Sequence, residues 1–279
     1  MKQIDDFIAN AEFLPPAFQL LPRLLLLLED VESNVEALAE LIRVDPGLTA
    51  DILRVCNSAK YSLGYRAESI PEAILRMGFE EVQRIMMTVI ASPVLKDPQS
   101  AYASKQGDLW NHSLAAAVAS ESLAPIAGIN TDLVFTAALL HDIGKVVLAQ
   151  AVPEQVAAAS AVALEKNQPL YLAERSILKT DHAGIGARLL DRWGFPKRMT
   201  IAIRHHHEPA GARDEVRLAS CLCLSNVLAY RVENGIHLPE YVRYPDTRAL
   251  KELNLTQPEL EALVPEAQER FIAAQKRFE

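Results

Sequence analysis

The chain has 279 residues, of which 50% are hydrophobic and 6% aromatic. This length gives one large domain or two modest ones, with ample apolar material for a core. The formal charge of −8 argues against a nucleic acid polymer as partner, because such binding depends on positive charge. Three cysteines, Cys56, Cys221 and Cys223, provide no disulfide framework and indicate a reducing compartment.

The N-terminus lacks the basic and then apolar order of a signal peptide. The most apolar window, residues 20–28, is interrupted by Pro22 and Arg23 and is shorter than the ~18 apolar residues that a membrane-spanning helix requires. We therefore expect a cytoplasmic protein without a membrane span.

Apolar periodicity and turn residues predict an all-α fold. The expected N-terminal helices are residues 14–29, 33–44 with Ser33 and Asn34 as caps, 48–59, 70–77 and 79–91. Residues 96–106 lose periodicity and are the best candidate for a linker. Further helices are expected at 108–125, 131–150, 153–166, 169–178, 181–193, 196–207 and 214–234. A last helix, capped by Thr256, should run to the C-terminus.

The adjacent residues His141 and Asp142 interrupt an otherwise apolar helical run. Burial of such a pair costs several kcal/mol unless a proton, a partner or a metal compensates it. The two side chains are thus either metal ligands or members of a satisfied polar network. Asp108 and His112 are four residues apart on one predicted helix and could bind the same ion. Asp108 could equally be a helix-start acid, favoured by the helix dipole.

Three further histidines, His182, His206 and His207, are candidates for the same site. His182 follows a candidate N-cap, Thr180 or Asp181, in the first turn of a helix, where the unpaired N–H groups disfavour an imidazolium. A neutral imidazole binds metal, although a capped surface histidine gives the same pattern. In the run His205-His206-His207, successive helical side chains point ~100° apart. His206 lies on the apolar face, His207 could turn inward as the helix ends, and His205 is expected in solvent; a basic surface cluster is the alternative.

Lys145 follows His141 by four residues and Asp142 by three. Its ammonium group could therefore contact a phosphate as a point charge, or simply pair with Asp142. The sequence does not separate these two roles.

The central region resembles the HD superfamily of all-helical, metal-dependent phosphohydrolases, named for the adjacent His and Asp. In its branch of cyclic-dinucleotide phosphodiesterases, the motif begins with an acidic residue, a His four residues later and the sequence HD-x-G-K. A further His, a His-His-Glu and a final Asp follow along the chain. The matching positions here are Asp108, His112, His141, Asp142, Lys145, His182 and His206-His207-Glu208. Two departures stand out: Asn226 replaces the last acid, and the Gly-Tyr-Pro of that branch is missing after Glu208.

The first hundred residues are similar to the HDOD family, the HD-related output domains. The resemblance rests on Leu14-Pro15-Pro16, residues 42–46, Asn57-Ser58-Ala59 and residues 74–78. It implies an N-terminal helical subdomain packed on an HD-type helical core, in a bacterial signalling module. We accordingly expect three parts, at residues 1–100, 101–235 and 236–279. Many members of the family have lost ligands.

The resemblance implies a divalent transition metal as cofactor, and mixed nitrogen and oxygen ligands suit iron, manganese, nickel or zinc. Two dications ~3.8 Å apart would repel by roughly 17 kcal/mol at an effective dielectric constant of 20. Asn226 offers no charge to offset that repulsion. We expect one ion, held by His112, His141 and Asp142 with His182 or His206.

Three functions are compatible with these residues. The first is a signalling output module that retains its metal and acts by binding a protein partner or a nucleotide-type ligand. The second is an active phosphohydrolase on a nucleotide or cyclic dinucleotide, with Asp142 and Lys145 as its catalytic residues. The third is a metal-free scaffold with a buried polar network. A groove between the two halves, lined by Tyr61, Tyr65 and Arg66, is the expected place for a partner or ligand.

Overall fold

The computed structural model describes residues 4, 8, 16–29, 35–58, 60, 61, 64–97, 99–102, 104–234 and 246–278. Every regular element in these ranges is a helix, which confirms the predicted all-α class. Within the same ranges, no helix combines the length and the hydropathy that a membrane span would require.

Among its described residues, the N-terminal part contains five α-helices that enclose an apolar core. A 3-10 helix, Pro16–Leu20, leads into α1. The helices are α1 (Leu21–Glu29), α2 (Val35–Arg43), α3 (Pro46–Cys56), α4 (Ile70–Met77) and α5 (Phe79–Lys96). The predicted start at Leu14 and the predicted caps Ser33 and Asn34 lie outside the described residues.

Two local features of this part differ from the sequence expectation. α5 continues past residue 91 to Lys96 and contains Pro93 within the helix. Asn57, after α3, bridges to the backbone of Ala67: its Nδ2 donates to the carbonyl oxygen at 3.0 Å, and its Oδ1 accepts from the amide at 2.7 Å. This double hydrogen bond fixes the loop that follows α3.

Tyr61 and Tyr65, which were expected to line a groove between the two halves, make different contacts in the structure. The Tyr61 hydroxyl forms a hydrogen bond with Glu81, and Arg277 of the C-terminal helix also pairs with Glu81. Tyr65 is 59% exposed, with the Arg76 guanidinium over its ring. Tyr61 therefore joins the N-terminal part to the C-terminal helix, while Tyr65 lies on the surface.

The HD-type part is built around α6 (Asp108–Ala127), which packs against α7 (Thr131–Leu140) and α13 (Val216–Asn234). The predicted linker contains a short 3-10 helix, Ser100–Tyr102. The remaining helices are α8 (Ile143–Ala151), α9 (Pro153–Glu165), α10 (Leu170–Leu178), α11 (His182–Arg192) and α12 (Lys197–Arg204). α5 packs on both α6 and α7, so the N-terminal core is continuous with this part.

The prediction of one helix over residues 131–150 was wrong at the His-Asp pair. α7 ends at Leu140 and α8 begins at Ile143. Asp142 between them has φ −101° and ψ 8°, outside the helical region. The break turns the two adjacent side chains away from the directions that a continuous helix would give them. A similar early end, at Arg204 rather than residue 207, releases the three-histidine run from α12.

The C-terminal part also has more helices than predicted. α14 (Thr247–Glu252) was not predicted, and α15 (Gln257–Ala262) and α16 (Val264–Phe278) replace the single helix that was expected after Thr256. Thr256 is an N-cap, as predicted, and forms a capping box with Glu259. α16 packs back on α6 and α13. The division of the chain at residues 100 and 235 stays a prediction.

A close helix crossing brings His182 next to the His-Asp pair. Gly144 of α8 packs against the start of α11, where a Cβ atom at this position would lie 1.9 Å from the backbone oxygen of His182. Gly186 provides the other side of the contact, because its own Cβ would lie 3.1 Å from the amide nitrogen of Gly144. Two glycines thus allow α8 and α11 to touch through their backbones.

We expect Gly144→Ala to lower the free energy of unfolding by about 3 kcal/mol, because backbone atoms must move to admit the methyl group. Urea unfolding followed by circular dichroism measures this change. Gly47→Ala is the matched control: its Cβ meets only the Asp45 side chain, at 3.2 Å. That control should change stability by less than ~1 kcal/mol, and equal stability of the two variants would contradict the close crossing.

Candidate metal centre

The carboxylate of Asp142 lies among the imidazole rings of four histidines. Oδ1 is 3.2 Å from Nε2 of His182 and 3.9 Å from Nε2 of His206. Oδ2 is 3.3 Å from Nε2 of His141 and 3.9 Å from Nε2 of His112. The Asp142 residue is 2% exposed. Helices that are distant in the sequence therefore converge on one buried charge.

Two groups of ligand atoms surround this carboxylate. Within each group, the potential donor atoms lie within 4.8 Å of one another. The groups are His182, His206 and His207, and His112, His141 and Asp142. Since Oδ1 faces two residues on one side and Oδ2 faces two on the other, Asp142 lies between the groups.

The Nδ1 atoms of four rings are anchored by acceptors behind the site. Nδ1–H of His141 donates to Ala138 O, and Nδ1–H of His206 donates to Ile203 O, both at 2.7 Å. A carbonyl oxygen only accepts, so the hydrogen must be on Nδ1 in both rings. In a neutral ring the lone pair is then on Nε2, which points towards Asp142.

Carboxylates hold the other two rings in the same orientation. Nδ1 of His182 donates to Glu174 Oε2 at 2.6 Å, and the same oxygen accepts from the His182 amide. Nδ1 of His112 lies 2.8 Å from Glu233 Oε2. Hydrogen bonds from ligand imidazoles to carboxylates or backbone carbonyls are typical of metal sites, because they fix the ring and raise its basicity.

Three buried polar atoms of the cluster have no hydrogen-bond partner among the described residues: Nε2 of His141, Nε2 of His206 and Oδ1 of Asp142. Nε2 of His206 and Oδ1 of Asp142 lie on the side of the three-histidine group, whereas Nε2 of His141 faces Oδ2 of Asp142. An unpaired buried polar group costs about 1–3 kcal/mol. A cation beside the three-histidine group would satisfy Nε2 of His206 and Oδ1 of Asp142, so the residues present fit a metal ion.

The position of His207 is fixed by stacking rather than by a hydrogen bond from Nδ1. Its ring lies parallel to Tyr171, at 4.4 Å between centroids, and the Arg175 guanidinium lies over the Tyr171 ring, 4.9 Å from its centroid. Arg175 in turn pairs with Asp181 and Glu208. α10 thus closes the cluster from one side.

Charges inside the cluster shift its protonation equilibria in opposite directions. Burial alone raises the pKa of Asp142, but His141, Lys145 and His182 outweigh it and hold that pKa well below its usual range. Burial lowers the pKa of His182, but Glu174 and Asp142 outweigh this effect and raise it to about 9. In the absence of a metal, His182 therefore carries a proton, and this proton partly compensates the Asp142 charge.

The remaining two histidines of this group favour the neutral form. Burial, together with the neighbouring His141 and His182, holds the pKa of His206 well below its usual range. Burial and the neighbouring His206 and His182 do the same for His207. Nε2 of His207 lies 2.8 Å from Nε2 of His182, so the protonated His182 donates to it. Neutral imidazoles are the form that coordinates metals.

Lys145 lies at the edge of the cluster. Its Nζ donates to Asp142 Oδ2 at 2.5 Å, and its side chain is 16% exposed. Burial lowers the pKa of Lys145, but the Asp142 charge outweighs burial and raises it above the usual range. The ammonium group therefore stays positively charged and is paired with Oδ2 of Asp142.

The other sequence candidates lie around this cluster. Asn226 Oδ1 is 2.8 Å from Nε2 of His112, so it contacts a candidate ligand. Asp108 belongs to neither ligand group among the described residues; its carboxylate accepts from the Lys105 amide at 2.7 Å. His205 also lies outside both groups and is partly buried rather than fully in solvent.

Glu174 and Glu233 are residues that the sequence interpretation missed. Glu174 is 0% exposed and also accepts a hydrogen bond from the Tyr102 hydroxyl at 2.7 Å. The sequence pattern gives no signal for Glu174, because the burial of a helical acid depends on tertiary packing. Glu233 is seven residues after Asn226, on one face of α13. This spacing is a signal that could have identified Glu233.

We expect Glu174→Gln to weaken the affinity for a divalent metal by about 10- to 100-fold, because the His182 ring would lose its charged partner. Titration with Co²⁺ followed by visible absorption measures this affinity. Glu81→Gln is the matched control, since the Glu81 carboxylate also bonds a tyrosine hydroxyl but belongs to neither ligand group. If both variants bind Co²⁺ like the unmodified chain, Glu174 does not orient a ligand.

Comparisons with known proteins agree with this arrangement. The model of the HDOD domain family matches residues 14–209. An uncharacterized protein of Treponema pallidum (strain Nichols) is 28% identical over 203 residues, which are 72% of this chain and 39% of that protein. The chain therefore spans well under half the length of this relative.

Solved structures share the fold. An HDOD domain protein with unknown function from Geobacter sulfurreducens superposes with a TM-score of 0.76 at 19% identity, covering 98% of this chain and 94% of that one. A candidate signal transduction protein from Marinobacter aquaeolei VT8 gives a TM-score of 0.75 at 24% identity, with 95% and 59% coverage. The family match over most of the chain shows that this protein belongs to the HDOD family.

Proposed function

We propose that this chain is an HDOD signalling module whose HD site binds one divalent transition metal ion and which acts by binding a ligand or a protein partner. The observation that carries the metal site is that two buried atoms beside the three-histidine group, Nε2 of His206 and Oδ1 of Asp142, have no hydrogen-bond partner among the described residues. The signalling role rests on family membership and on the similarity to a candidate signal transduction protein.

The ligands in this proposal are the three histidines of one group, His182, His206 and His207, together with Oδ1 of Asp142. This set offers three imidazoles and one carboxylate oxygen, which suits iron, manganese, nickel or zinc. When bound, such an ion supplies positive charge for an anionic ligand and lowers the pKa of bound water. Glu174 and the Ile203 carbonyl hold two of the rings in the required orientation.

The second group is less suited to a metal. Oδ2 of Asp142 already accepts from the Lys145 ammonium, so a second dication would face that charge as well as the first ion. His112 has protein partners at both nitrogens, Glu233 and Asn226. Asn226 contributes no negative charge. These features support one ion rather than two.

The same features support binding rather than turnover. Hydrolysis of a phosphoester by two metals requires that both attacking and leaving oxygens be stabilised by positive charge. Here a single strongly favoured metal position is combined with Lys145, and Asn226 stands where the resemblance requires an acid. The site retains the means to hold an anion near a metal, which is sufficient for recognition.

Metal analysis of the purified chain should give about one divalent transition metal ion per chain. His182→Ala should lose this metal, because it removes a ligand. His205→Ala is the matched control, from the neighbouring histidine that belongs to neither ligand group, and should keep the metal. A well-folded chain without metal would favour the buried polar network instead, and two ions per chain would contradict the role given to Lys145.

Phosphohydrolase activity is the second candidate function, and Lys145 is the observation that favours it. Its ammonium lies against Asp142 and also lines the adjoining open cavity, where a phosphate could contact it. The relevant assay is hydrolysis of bis(p-nitrophenyl) phosphate with Mn²⁺. Our proposal predicts a rate no higher than that of Mn²⁺ alone; turnover that His141→Ala abolishes and His205→Ala preserves would establish the enzyme.

A further inference from the structure

Two cavities meet at Lys145. The metal cavity has a volume of 260 Å³ and is bordered by Asp142 and the three-histidine group. A second cavity of 510 Å³, here called the outer chamber, lies on the other side. Lys145, Leu170 and Tyr230 line both. The two spaces therefore adjoin, and a ligand in the outer chamber can reach the edge of the metal site.

Positive and negative side chains are unevenly distributed along this double cavity. Lys145 is the single Lys or Arg among the described residues that line either cavity. The outer chamber also contains the carboxylates of Asp108 and Glu233, and the metal cavity contains those of Asp142 and Asp246. An anionic group is therefore attracted to one point, where the ammonium and a bound metal ion reinforce each other. Deeper in the outer chamber, a negative charge on a ligand would be repelled by the carboxylates of Asp108 and Glu233.

The outer chamber can hold a flat, partly apolar group. Leu109, Ala163, Leu164 and Leu170 provide apolar surface. Leu164 is 82% exposed, an unusual exposure for a leucine that lines a cavity. The volume of 510 Å³ is within the range of small-molecule sites. Asn111 and the carboxylates supply acceptors for the amino and hydroxyl groups of such a ligand.

We propose that the double cavity binds a nucleoside monophosphate, with the phosphate at Lys145 beside the metal and the nucleoside in the outer chamber. This inference rests on the proposed metal site and names its ligand class. Adenine presents an amino donor and a flat apolar face, and ribose presents hydroxyl donors. A single phosphate matches the single cationic position.

The same charge distribution selects against ligands with two separated phosphates. A nucleoside bisphosphate or a cyclic dinucleotide that placed one phosphate at Lys145 would carry the other into the region of Asp108 and Glu233. Like charges that are brought together in a partly closed cavity repel one another more strongly than in water. Selectivity would thus come from repulsion of the wrong ligand as much as from attraction of the right one.

Isothermal titration calorimetry of the Mn²⁺-loaded full chain tests this inference. The probes are adenosine 5′-monophosphate, adenosine, adenosine 3′,5′-bisphosphate and cyclic di-AMP. We expect the monophosphate to bind at least tenfold more tightly than each of the others, which is about 1.4 kcal/mol. Asp108→Asn should reduce the ratio of the affinities for the monophosphate and the bisphosphate at least threefold. Asp51→Asn, which alters an exposed carboxylate paired with Arg54, should leave this ratio unchanged.

The outcomes separate this inference from the proposed function. A chain that binds Mn²⁺ but not the monophosphate, or that binds the bisphosphate or cyclic di-AMP equally well, would overturn the ligand assignment and leave the metal site standing. If Asp108→Asn leaves the ratio of the affinities for monophosphate and bisphosphate unchanged, the carboxylates do not have the proposed role. A folded chain that binds no divalent metal would overturn both proposals.

Discussion

Compensation of the buried Asp142 carboxylate is the constraint on which the rest of the site depends. An isolated carboxylate with so little exposure would be strongly destabilising. Lys145 satisfies one of its oxygens, while the other faces His182 and His206. Because Oδ1 of Asp142 and Nε2 of His206 are buried without a hydrogen-bond partner among the described residues, the protein atoms compensate the Asp142 charge incompletely. A divalent cation beside these two atoms would supply the missing positive charge.

Several features of the fold position the side chains of this site. The break between α7 and α8 turns His141 and Asp142 into the same space, and the backbone contact between Gly144 and Gly186 brings α11 within reach. Hydrogen bonds behind the rings then fix their orientation. Glu174 extends this support further, because Tyr102 from the segment between the two halves bonds to it. The histidine cluster is therefore connected to the place where the N-terminal part joins the HD-type part.

Much of this arrangement could be predicted from the sequence because the signals were local. His141 and Asp142 are polar residues in an apolar run, and His182 follows a capping residue, Asp181, whose side chain accepts from Gly184 as expected. The helix break at the His-Asp pair could not be predicted, since the apolar pattern continues through it. Glu174 was missed for a related reason: whether a helical acid is buried depends on tertiary packing, which periodicity does not encode.

X-ray diffraction measured on both sides of a metal absorption edge tests the central claim most directly, because it locates a cation without relying on activity. The account predicts one anomalous peak per chain, bounded by Oδ1 of Asp142 and the Nε2 atoms of His182, His206 and His207. A crystal grown with the metal that shows no peak there, with Asp142 held only by Lys145 and protonated imidazoles, would contradict it.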